Sequence, residues 1–399
     1  MEAYQALPER FEVKIFDYDG QGQESSTLGA EIKKFRPHTL VFADHQPHPL
    51  GLIKWMLTRD LIKKNKDLLF HIYGDYTFYY LAWHHVSALL NGHKVKFIVS
   101  SERQKRLVQK TIKSKRTTIE IFPFLVNTQK LSVNGPEFSF RKKLLIPKQD
   151  ICFLYTGRIS LQKNIEQLLH CFRDYCSENQ GFCQLILAGG FDDLGPEFFN
   201  KSIPKNFYYQ HIQAIIKTLP VTVQKRIHFL GKISFQELMR LYQEMDIFIS
   251  LSLYHDEDFG MSPAEALCNG MPAILSDWGG YHSFRAKEPS LNNAVKMIPV
   301  HLTQNGLELS QDEVVKRMFE IAYRVDSIKR KKLAKHYCDR FGISTNVKRL
   351  ARVLEKTPEK FDGLKYFNYM TNDGPRFEHG PTLKGDYKEL YESYATSIK

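Results

Sequence analysis

Residues 257–265, EDFGMSPAE, hold a carboxylate at each end of a segment that reads as a loop running into a helix. Phe259-Gly260-Met261-Ser262-Pro263 opens that helix, with Pro263 in the first turn, where its missing N–H leaves no hydrogen bond unmade. The free backbone N–H groups of such a helix start, with the helix dipole behind them, form an anion site. Gly260 lets a ligand come close to the main chain. Glu257 and Glu265 are eight residues apart, one before the helix and one within its first turn. A diphosphate held at the helix start would therefore have one carboxylate toward each end, where each can accept hydrogen bonds from hydroxyl groups.

A second set of residues suits the same chemistry. In LYTGRISLQKNIEQLL (154–169) an apolar run ends in Gly157-Arg158, and Lys163 follows five residues later at the start of the next helix. A fixed guanidinium fork and a flexible ammonium near a helix start match a diphosphate whose charge grows as it leaves. A lone arginine after a strand is more often a surface ion pair. Its weight here comes from the 257–265 segment, about 95 residues further on.

The elements that must position these residues are legible as alternating apolar runs and amphipathic stretches, the pattern of βαβ units and parallel sheets. Strands are expected at 12–18, 39–44, 68–74, 95–100 and 118–124, and again at 151–157, 183–189, 227–231, 247–252 and 272–277. NIEQLLHCFRDYC and FQELMRLYQEM between them carry apolar residues at helical spacing. The polar stretch 126–149, with Pro136 and Pro147, reads as a linker. The expected fold class is α/β, with two facing Rossmann-like domains at 1–135 and 150–345 and a C-terminal helix and tail over 346–399. After Thr357 the tail is rich in Gly, Pro and aromatics, which predicts a segment that either wraps the surface or is partly disordered. Facing domains of this kind bind ligands in the cleft between the sheet ends.

Composition narrows the class. The chain has 399 residues, 43% of them apolar, enough for two ordinary cores, and no apolar run long enough to span a bilayer. The six cysteines form no CxxC pair, which argues against a disulfide framework or a zinc site and for a reducing, cytoplasmic setting. The segment MEAYQALPERFEV has neither the basic nor the apolar region of a secretory signal. A formal charge of +12 suits a polyanionic partner. SSERQKRLVQKTIKSKR (100–116) predicts a basic helix with Leu107, Val108 and Ile112 along another side, a pattern that can lie on an anionic membrane surface. Basic residues interleaved with aromatics, the mark of a nucleic-acid site, are not found.

Gly-Arg followed by Lys163, then the two glutamates inside EDFG…EAL and NGMP, together with IHFLGKISFQELMRLYQEMDIFISLS (227–252), resemble the retaining family-four glycosyltransferases of the GT-B fold, glycosyl transferases group 1. The resemblance is strong over about 150–285. It implies that Arg158 and Lys163, beside Gly157, bind the donor diphosphate and that Glu265 holds the ribose hydroxyls. Glu257 would contact the transferred sugar, with the main chain at Phe259-Gly260-Met261 assisting and Ser262 also binding the donor. Phe229, Leu230 and Gly231 would cradle the base through backbone groups, and Gly279 and Gly280 would border the pocket. His71, at the end of an expected strand, is the match to a histidine beside the sugar, with Asp75 as an alternative. The resemblance implies retention at the anomeric carbon, no metal and no cofactor beyond the nucleotide-sugar donor, with UDP favoured over GDP. The acceptor would be a saccharide or a lipid-linked saccharide, at the inner face of a membrane in polysaccharide biosynthesis.

The family normally begins with a strand, a glycine-rich loop and a long helix. Here YQALPERFEVKIFDY resembles the end of that helix running into the second strand, so the first βα unit is expected to be missing. That departure motivates an alternative, a non-catalytic GT-B scaffolding subunit. The tyrosine- and tryptophan-rich run 73–83 fits either an acceptor platform or a buried helix face, and DHQPHPLG (44–51) is expected to border the acceptor side.

Overall fold

The computed structural model describes residues 1–18, 22–43, 47–59, 62, 66–72, 74, 76–77, 79–131, 139–193, 206–286, 288, 291, 293–303, 306–367 and 390–398. Tyr73, Asp75, Phe78 and residues 44–46 lie outside them. Two parallel sheets dominate. The first is built from β1 (Thr39–Phe42), β2 (Asp67–His71), β3 (Lys94–Val99) and β4 (Thr118–Ile121) in that spatial order. The second is built from β5 (Ile151–Thr156), β6 (Cys183–Ala188), β7 (Ile227–Gly231), β8 (Ile247–Ser250), β9 (Ala273–Ser276) and β10 (Val295–Ile298), arranged β10-β9-β8-β5-β6-β7. A small third sheet places β11 (Val300–Thr303) between β12 (Gly306–Leu309) and β13 (Ser397–Ile398).

The order of the second sheet decides where a ligand goes. From β5 the chain steps outward through β6 to β7, then returns so that β8 pairs with β5 on its other side. The topological switch point therefore lies between β5 and β8, where consecutive loops diverge and leave a crevice at the carboxyl ends of the strands. Both motif segments of the sequence follow these two strands. β5, β6, β8 and β9 are buried on both faces, as their near-continuous apolar runs require. Helix Ile165–Glu178 packs Ile165, Leu168, Leu169, Phe172 and Tyr175 into the core, with polar residues outward. Helix Phe235–Glu244 starts with a reciprocal capping box, in which Glu237 N–H donates to Ser234 Oγ and Ser234 N–H to Glu237 Oε2.

Two expectations are corrected. Residues 12–18 do not join a sheet, and β1 is an edge strand; although the segment alternates, its Phe16 and Tyr18 pack onto the core from outside. The basic helix exists as Glu102–Thr111, but Leu107, Val108 and Ile112 are core residues, so its apolar side is spent on the fold. Of the tail rich in Gly, Pro and aromatics, residues 368–389 lie outside the described residues; Tyr391 and Tyr394 beyond them are fully buried. The aromatic run resolves in favour of the core, with Tyr76, Tyr80 and Trp83 each about 1% exposed or less. Of DHQPHPLG, residues 44–46 lie outside the described residues and the rest begins helix Pro47–Thr58.

After the second domain the chain returns to the first sheet. Helix Ile343–Glu355 packs Leu350 and Val353 against Leu69, Ile98 and Phe122. The buried Lys96 ammonium donates to the carbonyls of Val353 and Lys356, placing a cation at the negative end of that helix. No described helix is long and apolar enough to cross a membrane.

Candidate active site

The crevice beside β5 and β8 gathers most of the residues singled out above. Lys163 ends a short turn, Leu161–Lys163, and its Nζ lies 2.6 Å from Glu257 Oε2. Ser252 Oγ donates to the same oxygen at 2.5 Å. The ammonium also sits over the Tyr254 ring, 5.2 Å from its centroid. Lys163 is 15% exposed and Glu257 8%, so this is a nearly buried ion pair, and removing one partner would leave the other charge uncompensated. The pair is nonetheless held on one side only: a single Glu257 oxygen takes both bonds.

Helix Met261–Cys268 starts beside it. Gly260 has φ of 99°, and a Cβ there would stand 2.4 Å from the Tyr281 ring, so only glycine turns the chain into the helix at this point. The main-chain N–H groups of Met261 and Ser262 open the helix, where no i−4 carbonyl exists to receive them. Gly157 abuts this start: a Cβ on it would lie 4.0 Å from Ser262 Oγ. Glu265, one turn in, is partly buried and accepts from the Tyr242 hydroxyl at 3.3 Å. Tyr242 also shares a 2.8 Å hydrogen bond with Thr156 at the end of β5. Burial pushes the Glu265 carboxyl up to about 7.

Arg158 is 44% exposed and donates to Asp192 Oδ2 at 3.3 Å, an ion pair weak enough to exchange for a better anion. Between Arg158 and Lys163, Ser160 Oγ and both ends of the Gln162 amide are buried without a hydrogen-bond partner. Such groups are rare in native proteins, and they mark this turn as polar ground that is unsatisfied without a ligand. Residue type alone does not reveal them, since burial of a turn residue is not visible in its type. Phe229 stacks on Phe191 at 5.6 Å and Gly231, at the exposed end of β7, accepts from Gly189 N–H at 2.9 Å. Phe229, Leu230 and Gly231 thus lie at the ends of β6 and β7, on the flank of the crevice away from Glu257.

Some expected residues take other roles. The Phe259 side chain is core, packed on Phe124, Phe284 and Phe341, which leaves only its main chain for a ligand. Gly279 and Gly280 back the acidic loop: Gly280 N–H donates to Glu257 O at 2.6 Å, and a Cβ on Gly280 would meet Asp258 O at 1.8 Å. His71 is buried on the face of the first sheet that Leu69 shares, and its Nε2 and the Tyr4 hydroxyl share a 2.5 Å hydrogen bond. Burial lowers its pKa to about 3, so it is neutral. The first domain reaches the acidic loop through Gly74 instead, whose N–H donates to Asp258 Oδ2 at 2.8 Å.

Similarities to known proteins bear on the fold around this crevice. The model of the family described as Glycosyl transferases group 1 matches residues 137–287. An uncharacterized glycosyltransferase, MJ1607 of Methanocaldococcus jannaschii, is 25% identical over 144 residues, 36% of this chain and 32% of that protein. The match therefore spans about a third of that relative's length. Among solved structures, a glycosyltransferase from Rickettsia africae superimposes with a TM-score of 0.60 at 15% identity, covering 86% of this chain and 85% of that one. Anabaena Alr3699/HepE in complex with UDP gives 0.61 at 14% identity, covering 84% of each chain. A UDP-forming α,α-trehalose-phosphate synthase from Burkholderia xenovorans, in complex with glucose-6-phosphate, gives 0.59 at 10% identity, covering 84% and 76%. The fold is the GT-B fold of glycosyltransferases. Within it, residues 137–287 carry the similarity to the glycosyl transferases group 1 family.

Proposed function

We propose that the chain transfers a sugar from a nucleoside diphosphate donor to a saccharide or lipid-linked acceptor, with retention of anomeric configuration. The observation that carries the reading is the Lys163–Glu257 pair at the start of helix Met261–Cys268, 2.6 Å apart at the switch point of the second sheet. On donor binding, the Lys163 ammonium turns to the diphosphate while keeping its neighbourhood to Glu257, and Arg158 leaves Asp192 to join it. The N–H groups of Met261 and Ser262 meet the same phosphates. These donors oppose the charge that develops as the diphosphate departs, so they act more strongly in the transition state than in the ground state. The second Glu257 oxygen accepts from a hydroxyl of the transferred sugar, and Glu265 accepts from the ribose hydroxyls. Ser160 and Gln162 supply further hydrogen bonds in the same turn.

UDP is the proposed nucleotide, supported by the similarity to Anabaena Alr3699/HepE, known in complex with UDP, and to the UDP-forming synthase. The proposed location is cytoplasmic, at the inner face of a membrane, where the exposed Lys113, Lys115 and Arg116 beside the basic helix would meet anionic headgroups. Equal binding to neutral and anionic vesicles would remove the membrane part of the proposal. The transfer reading is tested by offering a panel of nucleotide sugars with saccharide acceptors and following free nucleoside diphosphate. Release that depends on acceptor supports transfer, whereas binding of no nucleoside diphosphate favours a scaffolding subunit.

A further inference from the structure

Asp258 follows Glu257 in the chain but serves the opposite side of the loop. Three donors converge on its carboxylate: Gly74 N–H at 2.8 Å and Gln104 Nε2 at 2.6 Å on Oδ2, and the Tyr394 hydroxyl at 2.6 Å on Oδ1. Its carbonyl accepts from Ser100 Oγ at 2.9 Å. Gln104 is itself fixed, donating to Ile72 O at 3.0 Å and accepting from Ser100 N–H at 2.7 Å. The ends of β2 and β3 and the helix after β3 therefore grip one carboxylate of the other domain. Asp256 repeats the arrangement, accepting from the Tyr391 hydroxyl at 3.2 Å and the Thr77 hydroxyl at 3.3 Å. Both aspartates are about 4% exposed or less, so their charges are tolerable only because these bonds are made.

The third wall is the segment ending in β13. The carbonyl of Tyr394 accepts from Gly279 N–H at 3.0 Å and from Arg103 Nη1 at 2.7 Å, and Arg103 pairs with Asp277 at 3.2 Å. Tyr394 thus touches the acidic loop with its side chain and the Gly279-Gly280 backing of that loop with its main chain. A single residue near the end of the chain couples the first domain, the loop and its support.

We infer that Asp258 and Tyr394 are positioning residues: they hold the loop between the two domains so that Glu257 is presented to the sugar at a fixed place beside Lys163. This rests on the transfer reading above. Neither residue touches the proposed diphosphate ligands, Arg158, Lys163 and the helix start, which all belong to the second sheet. Loosening the loop should therefore slow transfer without weakening the hold on UDP.

Three variants test this, Tyr394→Phe, Asp258→Ala and Asp258→Asn, each read by kcat with the active donor, UDP affinity by calorimetry, and hydrogen exchange of the ligand-free protein. Tyr394→Phe and Asp258→Ala should lower kcat about tenfold or more, since misplacement of a reacting-site group by about an ångström is enough for that. UDP affinity should stay within about threefold, because those contacts are remote from the change. Asp258→Asn should keep more activity than Asp258→Ala, as its amide oxygen still accepts from Gly74 and Gln104 while its NH2 donates to the Tyr394 hydroxyl. Exchange over 252–259 should rise about tenfold or more in Tyr394→Phe and Asp258→Ala, with the helix start at 260–262, β5 and β6 unchanged. Unchanged kcat and exchange would overturn the inference, as would a parallel loss of UDP affinity and of β5 protection, which would mean general damage. If the wild type turns over no donor, the transfer reading fails, and unchanged exchange over 252–259 would then refute the positioning role separately.

Discussion

The carboxyl ends of the two sheets hold buried polar residues of different kinds. At the end of β5 and β8 they are ion pairs with spare capacity: Glu257 uses one oxygen for Lys163 and Ser252, and Arg158 rests on Asp192 at the surface. At the end of β2 the described polar contacts are made by neutral donors, with His71 on Tyr4 and Gly74 and Gln104 on the Asp258 carboxylate. Charge kept half-satisfied beside a helix start is a place for an anionic ligand, and a carboxylate enclosed by neutral donors from another element is a place for a domain to be held. The difference assigns chemistry to the second sheet and alignment to the first.

The largest expected effect is at the pair itself. Lys163→Ala and Glu257→Gln should each lower turnover by about 10²–10³-fold, the range seen when one preorganised charge-stabilising group is removed. Circular dichroism should show both variants folded; near-normal turnover would erase the proposed distinction between the sheets. Arg158→Ala should lower kcat about tenfold with a smaller rise in the donor KM, as loss of a charge-assisted contact that strengthens in the transition state requires.

Glu265 offers a test by pH. Its carboxyl is raised to about 7 by burial, above its unfolded value of 4.5. The folded state therefore holds this proton more tightly, so the associated stability is full below about 4.5 and is lost as pH rises through about 7. Thermal melts from pH 5 to 8 should show that loss in the wild type and a flatter profile in Glu265→Gln. Identical profiles would place the group in a wetter setting than its contact with Tyr242 indicates.

The smallest effect on catalysis is expected at the first sheet. Tyr4→Phe and His71→Gln should lower the melting temperature by a few degrees, the scale of about 1 kcal/mol for a lost buried hydrogen bond, while kcat stays within about threefold. A large loss of kcat in a stable His71→Gln would restore the histidine to the site and break the contrast between the sheets.

How much of this was legible in the sequence follows the same division. The strands of the second sheet announce themselves as apolar runs, and Arg158, Lys163, Glu257 and Glu265 stand at fixed intervals around them, so the donor side could be read from residue types. The first domain was read less well. Segment 12–18 has the alternation of a strand yet pairs with none, because alternation reports a half-buried surface and not a ladder. Leu107, Val108 and Ile112 look the same whether they face a core or a membrane. Asp256 and Asp258 take no role in the sequence reading, since their partners Thr77, Gln104, Tyr391 and Tyr394 are distant in the chain. The tyrosines near the end carried no local signal at all; only the closing of the two domains around them gives them a role.

The central claim is that the crevice beside β5 and β8 binds a nucleoside diphosphate sugar and that the Lys163–Glu257 pair drives transfer from it. Its most direct test is the release of nucleoside diphosphate from a nucleotide-sugar panel by wild type and Lys163→Ala, with and without acceptor. The account predicts acceptor-dependent release by the wild type, reduced by about 10²-fold or more in the variant. Release by Lys163→Ala at the wild-type rate, or no binding of any nucleoside diphosphate by the wild type, would contradict it.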